Sequence, residues 1–391
     1  MFAEACARGD IARVRELLAL TGNRRIDVHA IGERAFRLAC KNGHVAVVRE
    51  LLALTGNRLI DVHVRNEYAF QWACENGRLA VVRELLGLTG DRRIDVHVRN
   101  EHAFRWACFF GRIAVVRELL ALTGDRRIDM HAKGERAFQR ACYYGRIAVV
   151  RELLALTGDR LIDVHADNEY ALRKACYRGK LAVVRELLGL TGDRRIDVHA
   201  ENEHAFRWAC YYGRIAVVRE LLALTGDRRI DVHAEDELAF QWACAEGHVA
   251  VVRELLALSG DRRIDVHAGD EYAFREACTE EHLDVVRELL ALDSRAISHT
   301  AQEQALAVCS RATVPWTETS QAWAACSVRS HMHTLCLPLR SEIQDRANAL
   351  RWGVHRSVIL SRKQARAAMG FGSGGPSLVR SIALSAKRAR K

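Results

Sequence analysis

Apolar residues recur along this chain on a 34-residue beat. Within one beat, Ala205 to Ala234, the residues Phe206, Ala209 and Cys210 fall at i, i+3 and i+4 and predict a short helix with one buried face. Gly213 ends it, at a position where a left-handed C-cap suits glycine. Ile215, Val218, Leu221, Leu222 and Leu224 then form an apolar stripe and predict a second helix, closed by Thr225-Gly226. Ile230 and Val232 alternate with polar residues and read as a brief extended segment leading to the next beat. Cysteine traces the period: nine cysteines, Cys6 to Cys278, follow one another at intervals of 34 without a slip.

A period of this size is the mark of a solenoid, in which a unit too small to bury its own apolar face stacks on its neighbours. Each unit opens on a turn residue followed by an acid, as in Asn66-Glu67, Asn202-Glu203 and Asp270-Glu271. Asn and Asp are expected to cap the first helix, with the carboxylate beside the positive end of its dipole. The two arginines of Asp227-Arg228-Arg229 follow the second helix, where positive charge is favoured. The end copies carry the polar substitutions that terminal units need: Arg13 replaces a valine in the first, and Glu281, Asp284 and Ser294 replace small residues in the ninth.

Composition divides the chain at the end of the beat. The formal charge of +10 belongs to residues 294–391, which hold 15 Lys and Arg against 4 Asp and Glu, while residues 1–293 are nearly neutral. All three prolines, Pro315, Pro338 and Pro376, lie in this second part, which reads as a basic, largely disordered tail. Nine of the twelve cysteines belong to the repeat. Stacked helices lie about 8–10 Å apart, beyond the roughly 7 Å limit between Cα atoms for a disulfide, so these thiols are expected to be reduced and the protein intracellular, cytoplasmic or nuclear. The N-terminus does not read as a secretory signal, and no apolar run is long enough to span a membrane.

The wording A-C-x-x-G-x-x-x-V-V-x-E-L-L followed by I-D-V-H-A resembles the ankyrin repeat over residues 1–293. The chain departs from that family in having forms such as His204-Ala205-Phe206-Arg207 in place of T-P-L-H, no proline in any repeat, and 34 residues where 33 is usual. The resemblance implies an all-α solenoid of stacked helix-turn-helix pairs, and a scaffold or adaptor that holds a partner protein on its concave surface.

Comparison among the copies separates framework from variation. Four positions on the first helix vary: six and two residues before the cysteine, and one and two after it. The last three share one stripe, opposite Phe and Ala. In the central copies they hold Trp106, Phe109 and Phe110; Arg136, Arg140, Tyr143 and Tyr144; Lys174, Tyr177 and Arg178; and Trp208, Tyr211 and Tyr212, together with His102, Tyr170 and His204. Glu75, Glu246, Glu276 and Glu280 flank them. Two readings follow: a strip that binds another protein through an acidic segment with apolar anchors, or aromatics that pack copy against copy.

No column pairs a nucleophile with a base, so no catalytic residue, cofactor or metal is expected, and a monomer is. The turn histidines, His29 to His267, are too far apart to share a zinc ion and read as structural. The arginine pairs are bracketed by acids and read as solvated loops rather than a phosphate-binding edge. In the tail, Gly370, Gly372 and Gly375 spell a dinucleotide fingerprint without its acid. No metal-binding spacing supports His331, His333, Cys309, Cys326 and Cys336 as ligands. The terminal Lys387, Arg388, Arg390 and Lys391 fit a nuclear-import signal. A nucleic-acid partner, stacking on the strip and held by the basic tail, is the alternative to a protein.

Overall fold

A computed structural model describes residues 1–292, which lie within one compact unit. The expectations for residues 294–391, the fingerprint, the His and Cys set and the import signal among them, lie outside the described residues. Nine helix pairs follow one another, from Phe2–Arg8 with Ile11–Leu18 to Ala268–Thr279 with Leu283–Leu292. Each first helix packs on the first helices of adjacent copies, and each second helix on its second-helix neighbours. The first helices approach one another more closely than the second helices do, so they form the inner row.

In the seventh copy the pair is Ala200–Tyr211 and Ile215–Leu222, followed by a single 3-10 turn at Gly226–Arg228. Phe206, Ala209 and Cys210 are fully buried. On the second helix the buried set is Val217, Val218 and Leu221, whereas Ile215 and Leu222 are only half-buried. Both valines are covered because the helix lies in the angle between its own first helix and the neighbouring copies. Ile230 and Val232 are buried without forming a strand and pin the loop to the core. Gly213 has φ +65°, and a Cβ there would lie 2.6 Å from the His248 ring of the next copy. In the ninth copy Glu281 holds the same left-handed conformation, at φ +63°.

The start of each first helix differs from expectation. Three consecutive residues turn left-handed, Glu201, Asn202 and Glu203 with φ 55°, 55° and 60°, and the same happens in every copy from Ile31-Gly32-Glu33 onward. The Asn and Asp residues therefore do not cap the helix. A left-handed residue bearing a Cβ costs roughly 1–2 kcal/mol, so these turns must be held by something outside themselves. Part of the hold comes, in six of the copies, from an Arg or Gln three residues before the cysteine: Arg37, Gln71, Arg105, Arg173, Arg207 and Gln241. Arg105 Nε donates to the Asn100 carbonyl at 2.7 Å and its Nη2 to the Arg99 carbonyl at 2.8 Å.

Polar ladders tie copy to copy on the outer side. Arg219 pairs with Glu254 of the next copy at 2.8 Å, and the same i, i+35 pairing runs from Arg15–Glu50 to Arg253–Glu288. The arginine pair divides its work. Arg229 makes a bidentate pair with Asp261, whereas Arg228 Nη1 donates to the Leu188 carbonyl and caps the second helix of the preceding copy.

Candidate functional site

The variable positions of the first helices face the same side and form one continuous row. Phe109 meets Tyr144 of the next copy at 4.0 Å between ring centroids; Tyr143 stacks on Tyr177 at 5.9 Å and 20°; Tyr177 meets Tyr212 at 4.3 Å and Trp208 at 5.3 Å; Tyr211 meets Trp242 at 5.3 Å. Within copies, Trp106 lies 4.9 Å from Phe109 and 5.5 Å from Phe110. The chain of rings thus runs unbroken through the five copies from Trp106 to Trp242.

These rings are half-buried, not exposed as the sequence suggests, because each covers part of its neighbour. Packing along the ladder is therefore real, and it leaves one flank of the row open to solvent. The row also extends past the residues that sequence comparison singles out: Tyr68 and Trp72 make a pair at 4.5 Å, and Trp242 closes the other end. Trp72 and Trp242 were readable as members of the same column; only their weaker neighbours, Glu75 and Ala245, set them apart.

The cations of the row rest on the rings. Arg140 lies 5.4 Å over Trp106, Arg178 4.4 Å over Tyr143, and the Lys174 ammonium 4.1 Å over Trp208 with Tyr170 at 5.1 Å. Arg136 stands exposed one turn away from Arg140. Among the described residues none of these four has a carboxylate within 4.0 Å, although Arg173, one residue before Lys174, pairs with Glu201 at 2.6 Å. Burial, reinforced by the Arg173 charge, pushes the Lys174 ammonium down to about 8. Burial likewise holds the Arg140 guanidinium below its usual range. At the far end Glu276 is raised, first by burial and then by Glu280.

Two histidines border the row and are neutral there. His102 Nε2 accepts the Trp106 indole N–H at 2.6 Å, and burial with four surrounding cations pushes the ring down to about 4. His204, 2.8 Å from Arg173, is also pushed down to about 4, again chiefly by burial. Among the described residues no cluster of His, Cys, Asp or Glu is placed to hold a metal ion.

The architecture is a helix-pair solenoid with a continuous, variable inner face. The family model described as ankyrin repeats (3 copies) matches residues 2–100 and 72–161, and the same pair continues on the same period to Leu292. Residues 2–161 thus match the ankyrin repeat family, and the described helix pairs form an ankyrin array. Among solved structures the ankyrin repeat domain of human ASB11 is similar, at 22% identity and a TM-score of 0.39, with 52% of this chain and 95% of that one covered. No curated protein matches the chain. No helix among the described residues is long and apolar enough to cross a membrane.

Proposed function

We propose that the chain is a scaffold or adaptor without chemistry of its own, holding a partner protein on the row from Trp106 to Trp242 through an acidic segment with apolar anchors. Ankyrin repeat arrays are in general protein-interaction scaffolds, which is the coarse frame for this reading. The observation that carries it is that, among the described residues, Arg136, Arg140, Lys174 and Arg178 have no carboxylate within ion-pair distance. Outer-face arginines pair with the next copy in rank after rank, whereas these four cations share a surface with aromatic rings and, among the described residues, make no ion pair. Carboxylates supplied by a partner would find Arg140 and Lys174 already partly desolvated, and the open ring flanks would accept its apolar side chains. Eight buried thiols in no disulfide, Cys6 to Cys244, agree with an intracellular setting.

Affinity capture from cells with the full chain, against an Arg140→Glu/Arg178→Glu variant of equal melting temperature, tests this reading. Partners retained by the parent chain and lost by the variant support it. The same partners on both chains would refute it. Capture of nucleic acid, lost steeply between low and physiological salt, would favour the alternative partner class.

A further inference from the structure

The turn histidines do more than fill a loop. In every copy from His29 to His233, Nδ1 lies 2.5–2.6 Å from Oε1 of the glutamate four residues on. In the same seven copies Nε2 lies 2.7–3.0 Å from a backbone carbonyl of the next copy, as His97 does from Asp125. Carboxylate and carbonyl oxygens only accept. A neutral imidazole has a single N–H and so satisfies one of them while turning a lone pair on the other; only the imidazolium donates to both.

The glutamate makes the case from the other side. Glu101 is buried, its Oε1 also accepts the N–H of Asp129 in the loop that closes the same copy, at 3.2 Å, and its Oε2 is enclosed without a partner. A carboxylate so placed needs a cation against it. The groups that face His97 are Asp95 and Glu101 on its own turn, Arg105 behind Glu101, and Asp125 of the next copy, whose side chain is taken up by Arg93. Acids and acceptors surround the ring on each side, and its own side chain is 40% exposed, so protons exchange freely with solvent.

We propose that the seven histidines form a proton-operated brace: as imidazolium each ties its copy to the next through the buried glutamate and the neighbouring carbonyl, and losing those protons loosens the stack. Each ring is held above the ordinary histidine range, in His97 first by the Glu101 hydrogen bond and in His131 first by the Asp159 carbonyl. Raised in the folded state, these groups contribute stability that is complete below the unfolded value of about 6.5 and is lost as pH rises through the folded values. Because a repeat array is held together by nearest-neighbour interfaces, seven such losses act on the same cooperative unit.

The window for a test is about pH 6.5 to 8. It lies above the acid range in which His102 and His204 work in the opposite direction, and below that of unfolded thiols, at about 8.5. For the full chain the melting temperature should fall steadily across it, with several protons taken up on folding, measured by calorimetry in buffers of different ionisation enthalpy. Nitrogen-15 spectra at pH 6.5 should show imidazolium shifts at both ring nitrogens of the seven residues. A His97→Gln/His165→Gln variant should lose about two-sevenths of the pH slope. A flat or rising melting temperature, or neutral-imidazole shifts at these histidines in the parent chain, would overturn the proposal, and the spectra decide it even where the variant fails to fold.

Discussion

Arg140 lies over Trp106 of the preceding copy, 5.4 Å from the ring centroid, while the Trp106 indole N–H is donated to His102. A cation, a ring and a neutral histidine from two copies thus share one local arrangement. On the proposed reading, stability and recognition fall on different members of it. Rings that touch rings in the next copy hold the stack, whereas cations lying on their outer faces contribute little to folding.

Tyr177 is the clearest ring of the first kind, touching Tyr143, Trp208 and Tyr212 in two neighbouring copies. Aromatic pairs contribute about 0.5–1.5 kcal/mol each beyond burial. Tyr177→Ala is expected to cost about 2–3 kcal/mol in urea unfolding, and Arg178→Ala, which removes one cation from the Tyr143 face, under about 1 kcal/mol. Equal losses from both would show that the row does not divide in this way.

The depressed histidines set an acid limb. His102 and His204 are neutral in the fold down to about pH 4 but titrate near 6.5 when unfolded. Their contribution is complete above about 6.5 and is lost as pH falls toward 4, because only the unfolded chain then takes up the proton. Allowing for their partial exposure, about 1–2 kcal/mol apiece is expected over that interval. A His102→Phe/His204→Phe chain should show a shallower fall in melting temperature between pH 6.5 and 4.5 than the parent.

The nine repeat cysteines should be silent to alkylation. Burial pushes Cys6 up to about 12 and the seven from Cys40 to Cys244 higher still, and the reactive species is the thiolate. Iodoacetamide at pH 8, followed by peptide mass mapping, should leave residues 6 to 278 unlabelled in the native chain and label all nine positions in guanidinium. Rapid native labelling of Cys142, at the centre of the array, would show that the stack opens far more often than its packing implies.

The sequence carries the helix pairs because apolar spacing and glycine positions are local signals: Phe206, Ala209 and Cys210 lie buried on one face, and Gly213 adopts a positive φ. The row of variable residues was legible for the same reason, as a spacing on a single helix. What could not be read was anything that depends on register between segments distant along the chain. Glu101 looks like an ordinary first-turn acid until Asp129, 28 residues on, is seen to donate to it. Asn100 suits both an N-cap and a left-handed turn, and local propensity does not choose between them. The constancy of His and Glu in eight copies was the one available sign that their pairing matters.

That left-handed turn yields the sharpest structural test. Arg99, Asn100 and Glu101 all have positive φ, and Arg105 holds the first two by their carbonyls through two nitrogens. In other copies the same place is taken by glutamine: Gln71 Nε2 donates to the Asn66 carbonyl at 2.5 Å and Gln241 Nε2 to the Asp236 carbonyl at 2.6 Å. One amide donor therefore suffices where a guanidinium supplies two. Arg105→Gln is expected to change stability by less than about 1 kcal/mol, in line with a single hydrogen bond. Arg105→Ala removes both donors, leaves buried carbonyls unsatisfied beside a strained turn, and is expected to cost about 2–4 kcal/mol. Urea unfolding of the two variants checks the order, and hydrogen exchange at residues 99–101 checks the place: protection there should survive in the glutamine variant and disappear in the alanine one.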